Sequence, residues 1–124
     1  KGCGVKGLQI TCSALTALAV QRSASDTVLS RPPEASNQDK VSMGLNAALN
    51  AAEVVTLLQQ ALAALLVALS NAAALRDEAL LSTRAKRLLE RVRSQSSVLT
   101  ADRRLDHELR KLTQAIDTGA LCCQ

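Results

Sequence analysis

The 124-residue chain is 48% hydrophobic and 21% charged with a formal net charge of +4, values that fit one globular domain and argue against two. Phe, Tyr and Trp are absent, which excludes aromatic platforms for single-stranded bases and aromatic cages for quaternary amines. A core of Leu, Val, Ala and Ile suits packed helices, and no segment shows the strict alternation of a half-buried strand.

Residues 1–6 hold two of the five glycines and read as an irregular lead-in. Leu8, Cys12, Leu15, Leu18 and Ala19 then recur at helical steps, predicting a first helix over 8–22 with Cys12 on its apolar stripe. Residues 23–37 are rich in Ser and contain Pro32–Pro33, which forbid helix continuation, so this is a long loop. Its length suits a crossover or a partner-binding segment.

A second helix is expected over 38–69, with Asn37 as cap and Asp39 in its first turn. Val54 to Leu75 carries no charge and is long enough to span a bilayer. Paired Gln59 and Gln60, the interruption at Ser70 and Asn71, and the high Ala content favour a central helix of a bundle instead. Asn71 is able to cap a third helix over 72–94, in which Leu81, Ala85, Leu88 and Val92 form the seam; an unbroken second helix is the alternative. Thr100 is able to cap a fourth over 100–118, whose stripe is Leu105, Leu109, Leu112 and Ile116 before Gly119 ends it. Four amphipathic helices predict an all-α, antiparallel four-helix bundle forming a single domain over 1–124.

The cysteines cluster at the extremities as Cys3, Cys12, Cys122 and Cys123. In an up-down-up-down bundle the start of the first helix and the finish of the last meet at one end. Terminal disulfide stapling is therefore expected, and with it an extracellular or cell-surface location. A first residue Lys1 rather than Met agrees with a removed signal peptide. Reduced thiols in the cytoplasm are the alternative.

Charge is uneven. Arg84 to Lys111 contains nine basic and four acidic residues, so this stretch carries +5 and the remainder −1. Arg84, Arg87, Arg91, Arg103 and Arg104 are the candidate contacts for an anionic partner, with an ordinary solvated face as the competing account.

Catalytic groups look isolated. His107 lies off the apolar stripe, Asp102 and Asp106 have arginines within reach to neutralise them, and no cysteine has an evident base. There is neither zinc-ligand spacing nor a phosphate loop, so no metal or other cofactor is expected. The residues by themselves point to a non-enzymatic, secreted or cell-surface helical bundle that binds a protein partner, as a monomer or a disulfide-linked dimer. An amphipathic lipid or apolar-ligand binder is the alternative. Nucleic-acid binding through the Arg-rich segment ranks last, because acidic residues interrupt it.

Overall fold

A computed structural model describes residues 4–37 and 40–121. Among them the chain is all-α, without strands: α1 (Lys6–Arg22), α2 (Gly44–Ala74), α3 (Thr83–Gln95) and α4 (Asp106–Asp117). Short 3-10 turns lie at Asp26–Leu29, Glu34–Ser36 and Glu78–Leu80.

The hub is α2. Leu8 of α1, Ala63, Ala64 and Val67 of α2, Val92 of α3 and Leu112 of α4 form one buried cluster, flanked by Cys12, Leu88, Leu105, Leu109 and Ile116. The stripes expected on α1, α3 and α4 thus face inward, as helical periodicity requires. Along α1 the chain descends α2: the Cys12 thiol donates to the Ala61 carbonyl at 3.6 Å, and Arg22 pairs with Glu53 at 3.1 Å. These two helices are antiparallel. The Gly4 N–H, just ahead of α1, donates to Asp102 ahead of α4, and Gln59 of α2 donates to Asp117 at the end of α4 at 3.1 Å. Accordingly α4 runs along α2 in the same sense as α1.

That polarity removes the basis for terminal stapling. The start of α1 neighbours the start of α4, not its finish, and Cys12 is a free thiol packed against α2. The other three cysteines lie outside the described residues. The expectation of a disulfide-stapled bundle is corrected accordingly.

Helix boundaries moved for identifiable reasons. Residues 38–39, where α2 was expected to begin, lie outside the described residues, and the helix starts at Gly44. The hydroxyl of buried Ser30 donates to the Val41 carbonyl at 2.7 Å and accepts from the Val41 N–H at 3.0 Å, which ties up backbone groups just ahead of the helix. Ser70 and Asn71 do not break α2, because tertiary partners satisfy them. Asn71 donates to Val67 and accepts the Leu99 N–H at 2.8 Å, while the Ser70 hydroxyl accepts from Arg93 at 3.3 Å. A helix ending in uncharged residues thereby extends to Ala74. The third helix begins late, at Thr83, where the Ser82 hydroxyl accepts the Ala85 N–H. Thr100 caps nothing; the segment from Ser96 to Leu105 crosses back to α4, and Asp102 accepts from Gly4 instead.

By length and composition α2 is also able to cross a membrane, and under a quarter of its most apolar window is buried. One side lies under α1 and α4. The other carries exposed Val55, Leu58, Leu62, Leu65 and Leu69.

Candidate functional site

A cavity of about 900 Å³ opens where the end of α1, the turn after it and the start of α2 converge. Its apolar floor comes from one side of α2, with Ala47, Ala51, Val54 and Val55 at helical spacing and Met43 just ahead of the helix. Its polar wall comes from Arg22 at the last turn of α1, Asp26 in the following 3-10 turn, and Lys40. The loop is anchored at three points. Ser30 grips Val41, Asn50 of α2 donates its amide to both carboxylate oxygens of Asp26 at 3.0 Å, and Arg22 meets Glu53 of α2. An amide aimed at both oxygens fixes the carboxylate plane and leaves its outer lone pairs for a further donor.

Such a hollow suits a small molecule with an apolar body and charged ends. The carboxylate of Asp26 is able to receive an ammonium, the Arg22 and Lys40 cations a carboxylate, and the floor an apolar side chain. Among the described lining residues, Arg22, Asp26 and Lys40 are the ionisable ones. Sequence reading passed over all three. The available signals were a polar loop too long for a plain connection and the asparagines Asn46 and Asn50 in the first turns of a mostly apolar helix.

The arginines singled out from sequence lie elsewhere. Arg84, Arg87 and Arg91 share one exposed face of α3, and Arg91 donates to the Ala120 carbonyl at 3.2 Å. Arg103 and Arg104 precede α4 and are tied to its acids, so the structure divides the five into two groups. Arg103 reaches both oxygens of Glu108 at 2.9 and 3.0 Å and the Ser97 carbonyl at 2.7 Å; Arg104 grips Asp106. The Arg103 guanidinium holds the Glu108 carboxyl below its ordinary range, helped by the hydroxyl of buried Ser96, and Arg104 does the same to Asp106. Exposed His107 sits 3.8 Å from Asp106, and Arg110 also reaches that carboxylate. Beside α3, Arg93 bridges the Ser70 carbonyl and Glu78, whose pKa it lowers. These networks lock α3, α4 and the end of α2 together.

A family model described as aromatic amino acid lyase matches residues 1–94. No curated protein and no solved structure matches the chain. The matched span takes in α1, the anchored loop, all of α2 and most of α3, and with them every residue that lines the cavity. This match overturns the expectation of a non-enzymatic interaction module, and with it the secreted, disulfide-bonded, protein-binding description. Reading the catalytic groups one by one found them isolated.

Proposed function

The chain belongs to the aromatic amino acid lyase family, and on that premise we propose that the cavity beside Asp26 and α2 holds an aromatic amino acid during lyase chemistry. The observation that carries this reading is the family match itself, which spans every lining residue of the cavity. The geometry supports it. An aromatic α-amino acid presents an ammonium, a carboxylate and a flat apolar ring. The cavity offers a carboxylate held by Asn50, two cations and a floor of Ala and Val with Met43 beside it.

Each group has a defined part. Asp26 holds the ammonium, with Asn50 as its positioning residue, since the amide touches only the carboxylate. Lys40 takes the substrate carboxylate. Arg22 is already paired with Glu53, with both side chains nearly half exposed, so its share is the weaker one. The ring lies against Ala51 and Val55, where the small Ala side chain leaves room for it.

The test is a calorimetric titration of the chain with phenylalanine, tyrosine and histidine, alongside the Asp26→Asn variant. Asn keeps the shape of the side chain but removes its charge. Binding of at least one of these amino acids, weakened about tenfold or more in the variant as befits loss of a charge-assisted hydrogen bond, supports the assignment. Equal binding by both proteins, or none by the parent at millimolar ligand, overturns it.

A further inference from the structure

We propose that the trough between α1 and α4 binds a short extended peptide of about three residues with both ends free, its ammonium on Asp117 and its carboxylate at Arg110. Helices α1 and α4 run in the same sense over α2, and the surface of α2 left between them is polar, with Thr56, Gln59 and Gln60 as the floor. The trough encloses about 590 Å³ and shares no lining residue with the cavity beside Asp26. One of its walls, α4, lies beyond residues 1–94, so the family match assigns it no part. The proposal therefore stands apart from the substrate reading of that cavity.

The hydrogen-bonding inventory matches a peptide backbone. Thr11, Thr56 and Thr113 each spend the hydroxyl proton on a carbonyl one turn back in their own helix, so toward a ligand they offer lone pairs alone and accept from N–H groups. Gln60 and Gln114 line the trough with primary amides, which donate and accept together as a peptide bond does. Leu15 on α1 and Leu109 on α4 supply apolar contact for a side chain between the two ends.

Charge sets the direction and the length. Asp117 accepts from the Gln59 amide at 3.1 Å through one oxygen, and its other oxygen suits an ammonium. At the opposite end Arg104 and Arg110 share the single carboxylate of Asp106, which leaves that end positive. Arg110 gives Asp106 one nitrogen at 3.3 Å, and the rest of its planar fork fits a carboxylate. Arg110 and Asp117 both line the trough and lie seven residues apart on α4, two turns on one face and about 10 Å along the axis. An extended peptide rises about 3.3 Å per residue, so three residues span that distance. A single amino acid carries both charges on one carbon and reaches only one end. A packing helix requires an apolar floor, which Thr56, Gln59 and Gln60 do not provide.

The experiment titrates the 124-residue chain with the tripeptide alanyl-leucyl-alanine and follows side-chain amide resonances by NMR, which reads binding even when it is weak. The Gln59, Gln60 and Gln114 amides are expected to shift with a dissociation constant of about 1 mM or tighter, while Asn50, in the other cavity, stays still. Phenylalanine serves as the converse probe: its effect on Asn50 reports the substrate reading separately. Asp117→Asn keeps an acceptor for Gln59 and is expected to weaken the free tripeptide about tenfold, the scale of a lost charge-assisted hydrogen bond. Against the N-acetylated tripeptide, which has no ammonium, parent and Asp117→Asn should bind alike. Arg110→Gln should show the matching pattern with the C-terminally amidated tripeptide. Both residues are exposed, so circular dichroism should report parent helix content in each variant. Still glutamine amides at about 10 mM peptide, about ten times the expected constant, would overturn the proposal. So would blocked and free peptides that bind equally well, or a free alanine that binds as tightly as the tripeptide.

Discussion

The two ends of α2 are held in opposite ways. At its C-terminal end, polar groups do the holding: Ser70 and Asn71 receive Arg93 and the Leu99 N–H, and the nearby crossing is pinned by Ser96, Arg103 and Glu108. At its N-terminal end a loop is tied at a few points over an apolar floor that stays open. The first end specifies a packing, since each directional bond is satisfied only when α2, α3 and α4 hold their places. The second leaves apolar surface exposed in a hollow, as ligand sites do. One end of the helix is closed by directional bonds and the other borders an open apolar hollow.

The comparison breaks first at the core, which both ends share. Leu112 is fully buried, and Leu112→Ala is expected to destabilise the fold by about 2–5 kcal/mol, through lost transfer energy and the cavity left behind. Urea unfolding followed by circular dichroism reads this, and a loss below about 1 kcal/mol would mean that α4 does not pack as described. Asn71→Ala comes next. It leaves the Leu99 N–H without its acceptor, an effect of about 1–3 kcal/mol. Amide exchange should accelerate at Leu99 well before it does in α1. If α1 and the crossing opened together, the polar end would not be the separate unit described above.

Much of the fold was legible before any coordinates, because helical periodicity is a local property. The stripes Leu8–Cys12, Leu88–Val92 and Leu105–Leu109–Leu112–Ile116 all face the core. What was illegible depends on partners far along the chain. Ser70 and Asn71 read as a break because local propensity favours one, and only Arg93 and Leu99 overrule it. Thr100 looked like a cap, yet its segment is drawn across to Gly4 through Asp102. The polarity of α4 relative to α1 was hidden for the same reason, and the disulfide expectation failed with it. Asp26 offered no signal of a site either, since its meaning comes from Asn50, twenty-four residues away.

Acid should act on the end closed by directional bonds. Glu108, Glu78 and Asp106 all have pKa values lowered by arginines. Their contribution is present above the unfolded-state value, about 4.3 for Glu, and is lost as pH falls through the lower folded value. Stability should therefore decline from about pH 4.3 downward. Glu108→Gln removes part of that dependence and about 1.5–3 kcal/mol at neutral pH, the scale of hydrogen bonds to charged groups. Parallel pH–stability curves for parent and variant would show that Arg103 does not hold the carboxylate. At the other end, Ser30→Ala removes both bonds to Val41, an effect of about 1 kcal/mol. It should loosen the cavity loop and leave pH dependence unchanged.

The smallest effect tests whether the cavity loop is under strain. Ala35 adopts φ 62° and ψ 7° within the turn Glu34–Ser36, a left-handed conformation in which Cβ crowds the following carbonyl at a cost of about 1–2 kcal/mol. Glycine lacks that atom. Part of the gain is offset because glycine also has more freedom to lose on folding, about 0.4–1 kcal/mol. Ala35→Gly is therefore expected to stabilise the chain slightly, by about 0.5 kcal/mol, against the usual direction for such a substitution. Read by urea midpoint, a clear destabilisation would show that Ala35 does not hold the left-handed conformation in solution. A small gain would locate strain in the loop beside the candidate substrate cavity, at the open end of α2. There a strained segment, held mainly by Ser30 and Asn50, is easily rearranged when an occupant binds.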